Sequence, residues 1–236
     1  MQSSNLKALP VGAKIAVVSP HLDDAVLGCG DLIASRPGAT VITAFAGRPA
    51  SYPALTDWDA RAGFGPGDDV VAARREEDRA ALSLLAARPI WMNLPDSQYG
   101  QTPTIGTLSE MLDGSIRDAE PELVVLPLGL FHHDHVLAAD AALRSMRRLD
   151  VRWLAYADAI YRQVPNLLDE RLETLRRSGL VVRPAGTSFG PASSLKRRAA
   201  ECYASQLRAL AAAWGGALAD AYEPEQYWSL SLAESR

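Results

Sequence analysis

The sequence predicts an α/β fold of three layers, a mostly parallel sheet covered by helices on both faces. Short apolar runs rich in Val, Ile and Leu alternate with amphipathic stretches rich in Ala, Leu, Arg and Glu. They recur at roughly 30 residues, the length of a strand–helix–strand unit. The strand-like runs are nearly continuously apolar, as in strands buried on two faces. A length of 236 residues, 48% apolar and 22% charged, suits one large core, and residues 1–236 are expected to form a single domain.

The run Lys14-Ile15-Ala16-Val17-Val18-Ser19 is the first strand, and Ala25 to Ala34 follows as a helix. Thr40 to Ala46 is the second strand. Val70 to Leu85, built of strong helix formers, is the next helix. Ile90 to Leu94 is the third strand, Thr107 to Ala119 a helix, and Leu123 to Leu128 the fourth strand. His135 to Arg147 reads as helix and Arg152 to Tyr156 as the fifth strand. Beyond Asp158 the rhythm weakens. Leu180-Val181-Val182 suggests a hairpin or extra strand, and Lys196 opens a helix running to about Ala213. Residues 47–69 hold Pro49, Pro53, Gly63, Gly65, Pro66 and Gly67, and are too long for an ordinary connection. Trp58 and Phe64 mark that segment as an ordered lid or pocket wall.

Formal net charge is −4, with both signs interspersed, which argues against a nucleic-acid groove or a polybasic membrane patch. No stretch has the length of a transmembrane helix, and the first residues carry no long apolar signal region. A cytoplasmic protein is expected. The two cysteines, Cys29 and Cys202, are too few for a structural zinc cluster. Cys29 is expected to pack as a small buried residue.

All four histidines fall in two segments, Pro20-His21-Leu22-Asp23-Asp24 and His132-His133-Asp134-His135. Each places imidazole and carboxylate within three residues, the ligand types of a mixed His/Asp zinc site. One segment follows the first strand and the other the fourth. Ligands of open α/β sheets sit outside the carboxyl ends of the strands, so both segments should reach one edge. Capping the next helix accounts for one aspartate of the Asp23-Asp24 pair, but not for both beside a histidine. Gly28-Cys29-Gly30 lacks the third glycine of a dinucleotide turn, Ile33 standing in its place, and the two preceding aspartates would repel pyrophosphate. No Gly-x-Ser-x-Gly is present to form a serine nucleophile elbow.

The order of these residues resembles the PIG-L/LmbE-like zinc-dependent de-N-acetylase family. Its members carry His-Pro-Asp-Asp-Glu after the first strand and His-x-Asp-His or His-x-x-His later. Arg74 to Leu82 resembles the family's Arg-x-x-Glu helix, and Lys196 through Tyr203-Ala204-Ser205-Gln206 resembles its late Lys…Ser-Gln helix. The resemblance implies a Rossmann-like, LmbE-like fold and a hydrolase that removes an acyl group, acetyl foremost, from an amino sugar. The implied substrate is an N-acylated amino sugar or glycoconjugate, such as one of N-acetylglucosamine. By the same resemblance zinc would be held by His21, Asp24 and His135, a set that also accepts iron, cobalt or manganese. Asp23 would be the general base. His132 would stabilise the oxyanion or protonate the leaving amine, and Asp134 would fix a histidine tautomer. Arg74 would bind substrate, or else pair with Glu77 or Asp78 on its own helix. His133 occupies the variable position of the motif.

Two positions depart from the family pattern: Leu22 stands for proline and Ala25 for glutamate. Neither is an implied ligand, so the departure bears on substrate choice. Two other readings use the same residues: a non-catalytic metal- or carbohydrate-binding member of the fold, and a metal-dependent amidase acting on a non-sugar amide.

Overall fold

The computed structural model describes residues 12–52, 54–186 and 190–233, so Pro53 of the long connection lies outside the described residues. Its seven strands are β1 (Ile15–Ser19), β2 (Thr40–Thr43), β3 (Arg88–Trp91), β4 (Leu123–Pro127), β5 (Arg152–Tyr156), β6 (Leu180–Ala185) and β7 (Tyr227–Leu232). They form one sheet in the order β3-β2-β1-β4-β5-β7-β6. The first five are parallel, and β7 runs antiparallel to both β5 and β6. The α-helices are α1 (Asp24–Ala34), α2 (Asp57–Ala62), α3 (Val70–Leu84), α4 (Ile105–Ala119), α5 (His133–Met146), α6 (Leu167–Arg177), α7 (Ser194–Glu201) and α8 (Ala204–Trp214).

The apolar strands feed two cores, one on each face. Ile15 and Val17 of β1 join Leu32, Leu82, Ala199 and Leu210 on the face covered by α1, α3, α7 and α8. Ala16 and Val18 point the other way, to Leu108, Leu112, Ala138 and Leu172 of α4, α5 and α6. This period of two, buried on both sides, is what a doubly covered parallel sheet requires. Each wholly buried leucine, Leu82 and Leu112 among them, contributes about 1.5–3 kcal/mol.

Helix α1 is broken at Cys29, whose φ of −146° and ψ of 31° leave the helical region. The amides of Asp31 and Leu32, freed by the break, donate to the Glu225 carboxylate at 2.8 and 3.2 Å. Lys196 Nζ donates to the same carboxylate at 2.9 Å, and Tyr227 Oη at 2.7 Å. The glycines flanking Cys29 serve close approach: a Cβ on Gly28 would stand 2.6 Å from the Tyr156 ring, and one on Gly30 2.8 Å from Lys196 Cγ.

The helix expected over 196–213 is two helices. Its Ala-rich composition favours continuity, but Tyr203 turns inward and donates its hydroxyl to Asp78 Oδ1 at 2.7 Å. Helix α8 then restarts on a cap from α3: Glu77 accepts from Ser205 N at 2.8 Å and from Ser205 Oγ at 2.6 Å. The third strand begins at Arg88 rather than Ile90, because Thr40 of β2 pairs with Arg88. The strand expected near 180–182 is β6, and its antiparallel partner β7 was not anticipated. Within the long connection, α2 forms with Thr56 capping Asp59 N, and Trp58 of the two expected wall residues lines a pocket while Phe64 does not. No helix among the described residues is long and apolar enough to cross a membrane.

Asp78 also accepts from Trp91 Nε1 at 2.6 Å. Burial pushes its carboxyl up to about 6 against the pull of those two hydrogen bonds. Between about pH 4 and 6 the folded protein therefore holds a proton that the unfolded chain has released. The group's stabilising contribution is complete below that window and is lost as pH rises through it, by about 3 kcal/mol in all. Urea unfolding of Asp78→Asn should show a correspondingly smaller loss of stability between pH 4 and pH 7 than the wild type. Equal pH dependence in the two proteins would refute this.

Candidate active site

Strands β1 and β4 are neighbours at the point where strand order reverses, where open α/β sheets bind their ligands. The turn after β1 carries His21 and Asp23, and Asp24 opens α1. The connection after β4 ends at His132, which caps α5, and Asp134 and His135 lie in that helix's first turn. Asp23 occupies the N-cap position of α1 but makes no side-chain cap bond, so its carboxylate is not engaged in capping.

Three of the expected residues converge. Asp24 Oδ2 lies 3.2 Å from His21 Nδ1 and 3.2 Å from His135 Nε2. The far nitrogen of each ring meets a buried carboxylate: His21 Nε2 is 3.1 Å from Asp134 Oδ2, and His135 Nδ1 is 2.6 Å from Asp158 Oδ1. With those far nitrogens donating, His21 Nδ1 and His135 Nε2 are the nitrogens left facing Asp24, where a metal would take the place of the proton each ring shares with that carboxylate. Second-sphere carboxylates hold metal-binding imidazoles in this way.

His132 is built differently. Its ring lies 5.2 Å from that of His21, and its nitrogens fall within 4.8 Å of those of His21 and His135. Its Nδ1, however, accepts from Asp134 N at 3.2 Å, which puts the proton of the neutral ring on Nε2. His132 is thus a donor into the site, not a third nitrogen ligand. A second grouping, His21 with Asp96 and Asp134, uses the nitrogen by which His21 donates to Asp134, and offers no lone pair there.

The electrostatics follow from this packing. Burial alone would raise Asp24, but the His135 and His21 rings hold it well below the usual carboxylate range. Burial opposes charge on His135, yet Asp24 and Asp158 outweigh it and raise the ring to about 9. Burial and the Asp24 charge push Asp23 up to about 6, against Arg74 and His21. Burial, then the neighbouring rings of His21 and His135, lower His132, which keeps it neutral.

These residues line a pocket of about 200 Å³ with two unlike walls. One is polar. Arg74 is buried, donates to Gln206 Oε1 at 2.7 Å and stands 3.7 Å from Asp96, instead of pairing with Glu77 or Asp78. Its Nε has no partner among the described residues. Trp58 Nε1 also donates to Gln206 Oε1, at 3.1 Å, and Gln98 completes this wall. The other wall is aromatic, formed by Phe131, Tyr161 and Trp214. His133 is exposed and lines nothing. His133→Ala should keep amine release within about twofold of wild type, as a change to an exposed side chain outside the pocket lining does. A large fall with metal retained would contradict that.

Sequence reasoning missed Asp158 and Asp96. Each lies a few residues past a parallel strand, β5 and β3, so the strand-end rule that located His21 was the signal for both. Asp158 is decisive for His135. Its Oδ1 accepts from the ring while its Oδ2 accepts from Gly129 N and Leu130 N at 3.0 and 3.3 Å. An asparagine cannot accept on both sides, so in Asp158→Asn either the loop amides or the His135 tautomer is lost. Metal affinity should fall about 10–100-fold in calorimetric titration, and unchanged affinity would refute the coupling.

The family model described as GlcNAc-PI de-N-acetylase, PIG-L, matches residues 16–146, more than half of the chain. No curated protein matches the chain significantly. Among solved structures, a triple mutant of a deacetylase of the teicoplanin biosynthetic pathway is 26% identical, with a TM-score of 0.74 over 94% of this chain and 100% of that one. The zinc inhibited form of teicoplanin deacetylase shares the fold at 24% identity and a TM-score of 0.74, over 95% of this chain and all of that one. N,N'-diacetylchitobiose deacetylase from Pyrococcus horikoshii shares it at 19% identity and a TM-score of 0.52, over 93% of this chain and 84% of that one. By its matched segment and its fold, the chain belongs to the PIG-L family of de-N-acetylases.

Proposed function

We propose that this protein is a zinc-dependent N-deacetylase acting on an amino sugar or its glycoconjugate, with residues 1–236 working as one domain. The observation that carries this reading is the convergence of His21 Nδ1 and His135 Nε2 on one Asp24 oxygen, with both far nitrogens tied to carboxylates. Two imidazoles and one carboxylate suit zinc and leave a fourth position open to solvent or substrate. Zinc bound there supplies Lewis acidity, polarising an amide carbonyl and lowering the pKa of water toward ~7.

The chain's own residues do the rest. Asp23 takes a proton from the attacking water and returns it to the departing nitrogen. His132 offers its Nε2–H to the carbonyl oxygen as negative charge grows there. Asp134 and Asp158 keep His21 and His135 in the tautomers that face Asp24. Arg74, Asp96, Gln98 and Gln206 offer donors and acceptors matched to sugar hydroxyls, and they support the sugar assignment.

The test is to titrate zinc into metal-free protein while following amine release from N-acetylglucosamine conjugates. One ion bound per chain, with release tracking occupancy, is expected. Binding without release from any N-acetylated amine would favour a non-catalytic binding protein. Release from simple amides in preference to sugars would favour an amidase.

A further inference from the structure

The aromatic wall is larger than an acetyl group needs. Phe131, Tyr161 and Trp214 pack on one another, Phe131 stacked on Tyr161 with ring centroids 5.4 Å apart and Trp214 edge-on to both at 5.2 and 5.3 Å. Tyr161 in turn sits edge-on to His135 at 5.1 Å, so the cluster runs outward from the convergent rings to the pocket mouth. Phe131 is 58% exposed, one of only three exposed large hydrophobic residues among those described. It adopts a φ of +60°, a conformation that bulky side chains rarely take. Its neighbours hold it there: Asp158 binds the amides of Gly129 and Leu130, and His132 N donates to Leu130 O at 2.7 Å. A strained backbone that keeps an aromatic ring in water at a pocket mouth points to a ligand for that ring.

The two walls assign the two ends of the substrate. Resting on the deacylase reading above, Asp23 must return its proton to the departing nitrogen. Sugar hydroxyls need polar partners, which Arg74, Gln98 and Gln206 offer and the aromatic wall does not, so the amine and its hydroxyl-bearing ring lie along the polar wall. The other carbon substituent of the amide is then directed toward Tyr161. We propose that Phe131, Tyr161 and Trp214 form an acyl subsite, and that the protein cleaves N-acyl groups longer than acetyl, linear or aryl. Water adds across the amide C–N bond, releasing the free amine and a medium-chain or aromatic carboxylic acid.

The experiment uses zinc-loaded protein and glucosamine acylated with acetyl, butanoyl, hexanoyl, octanoyl or phenylacetyl groups. A parallel set keeps the acetyl group and varies an alkyl group at the anomeric carbon. The acyl series should gain about two- to fourfold in kcat/KM per methylene up to hexanoyl, the increment for apolar surface leaving water. The octanoyl-to-acetyl ratio should collapse in Phe131→Ala and Trp214→Ala and recover in Phe131→Leu and Trp214→Phe. Acetyl release with no gain along the acyl series overturns the subsite and leaves the deacetylase reading standing. A gain only along the anomeric series overturns the acyl placement. No amine release from any substrate, with octanoyl-glucosamine still quenching tryptophan fluorescence in a Phe131-dependent way, overturns the deacetylase reading and the cleavage with it, and keeps the three rings only as a binding site for the acyl group.

Discussion

His135→Ala is expected to abolish metal binding and amine release together. The ring supplies one of two nitrogens facing Asp24, and its loss leaves one imidazole and one carboxylate, too few to hold zinc against water. Amine release should fall at least about 10³-fold, since Lewis-acid assistance amounts to several kcal/mol and each 1.4 kcal/mol is tenfold. The alanine also takes the partner of Oδ1 from Asp158, a buried carboxylate, so some unfolding is expected from that change alone. His135→Asn separates the two effects. Its amide can donate to Asp158 while offering nothing toward Asp24, so the protein should stay folded by circular dichroism and still bind no metal. Full metal occupancy in the asparagine variant would sink the proposed ligand set.

Asp23→Asn should do the opposite to metal and the same to turnover. Asp23 makes no cap bond to α1 and does not share the oxygen on which His21 and His135 converge. Zinc should therefore bind with affinity within a few-fold of wild type, while kcat falls about 10²–10⁴-fold, the usual range for a lost general base. Elemental analysis and amine release on the same sample decide it. Loss of metal would mean that Asp23 and Asp24 have exchanged roles, and an active metal-loaded variant would mean that the base lies elsewhere.

Much of this site was legible in the sequence because it obeys one geometric rule. His21 and His135 are 114 positions apart, yet each follows a parallel strand, and adjacent strands deliver them to one edge. Asp158 and Asp96 obey the same rule but lack a neighbouring histidine, so nothing local distinguished them from ordinary loop carboxylates. The aromatic wall was illegible for a different reason. Phe131, Tyr161 and Trp214 come from three separate segments, and no spacing in the chain announces that they meet. Local propensity also misled at Tyr203, where a helix-forming run is interrupted by one long-range hydrogen bond to Asp78. Strand β7 escapes that reading because it returns antiparallel, outside the alternating rhythm that marks the first five.

The broken first helix has a consequence for how the chain assembles on the ribosome. Asp31 emerges early, but the carboxylate that receives its amide belongs to Glu225, 194 positions later. At roughly 5–20 residues per second, translation separates the two by about 10–40 s. Through that interval the second half of the helix has uncapped donors, and Lys196, once synthesised, waits for its counter-ion. The same helix begins with Asp24, so one wall of the candidate site stays unanchored on the nascent chain until Glu225 has been made.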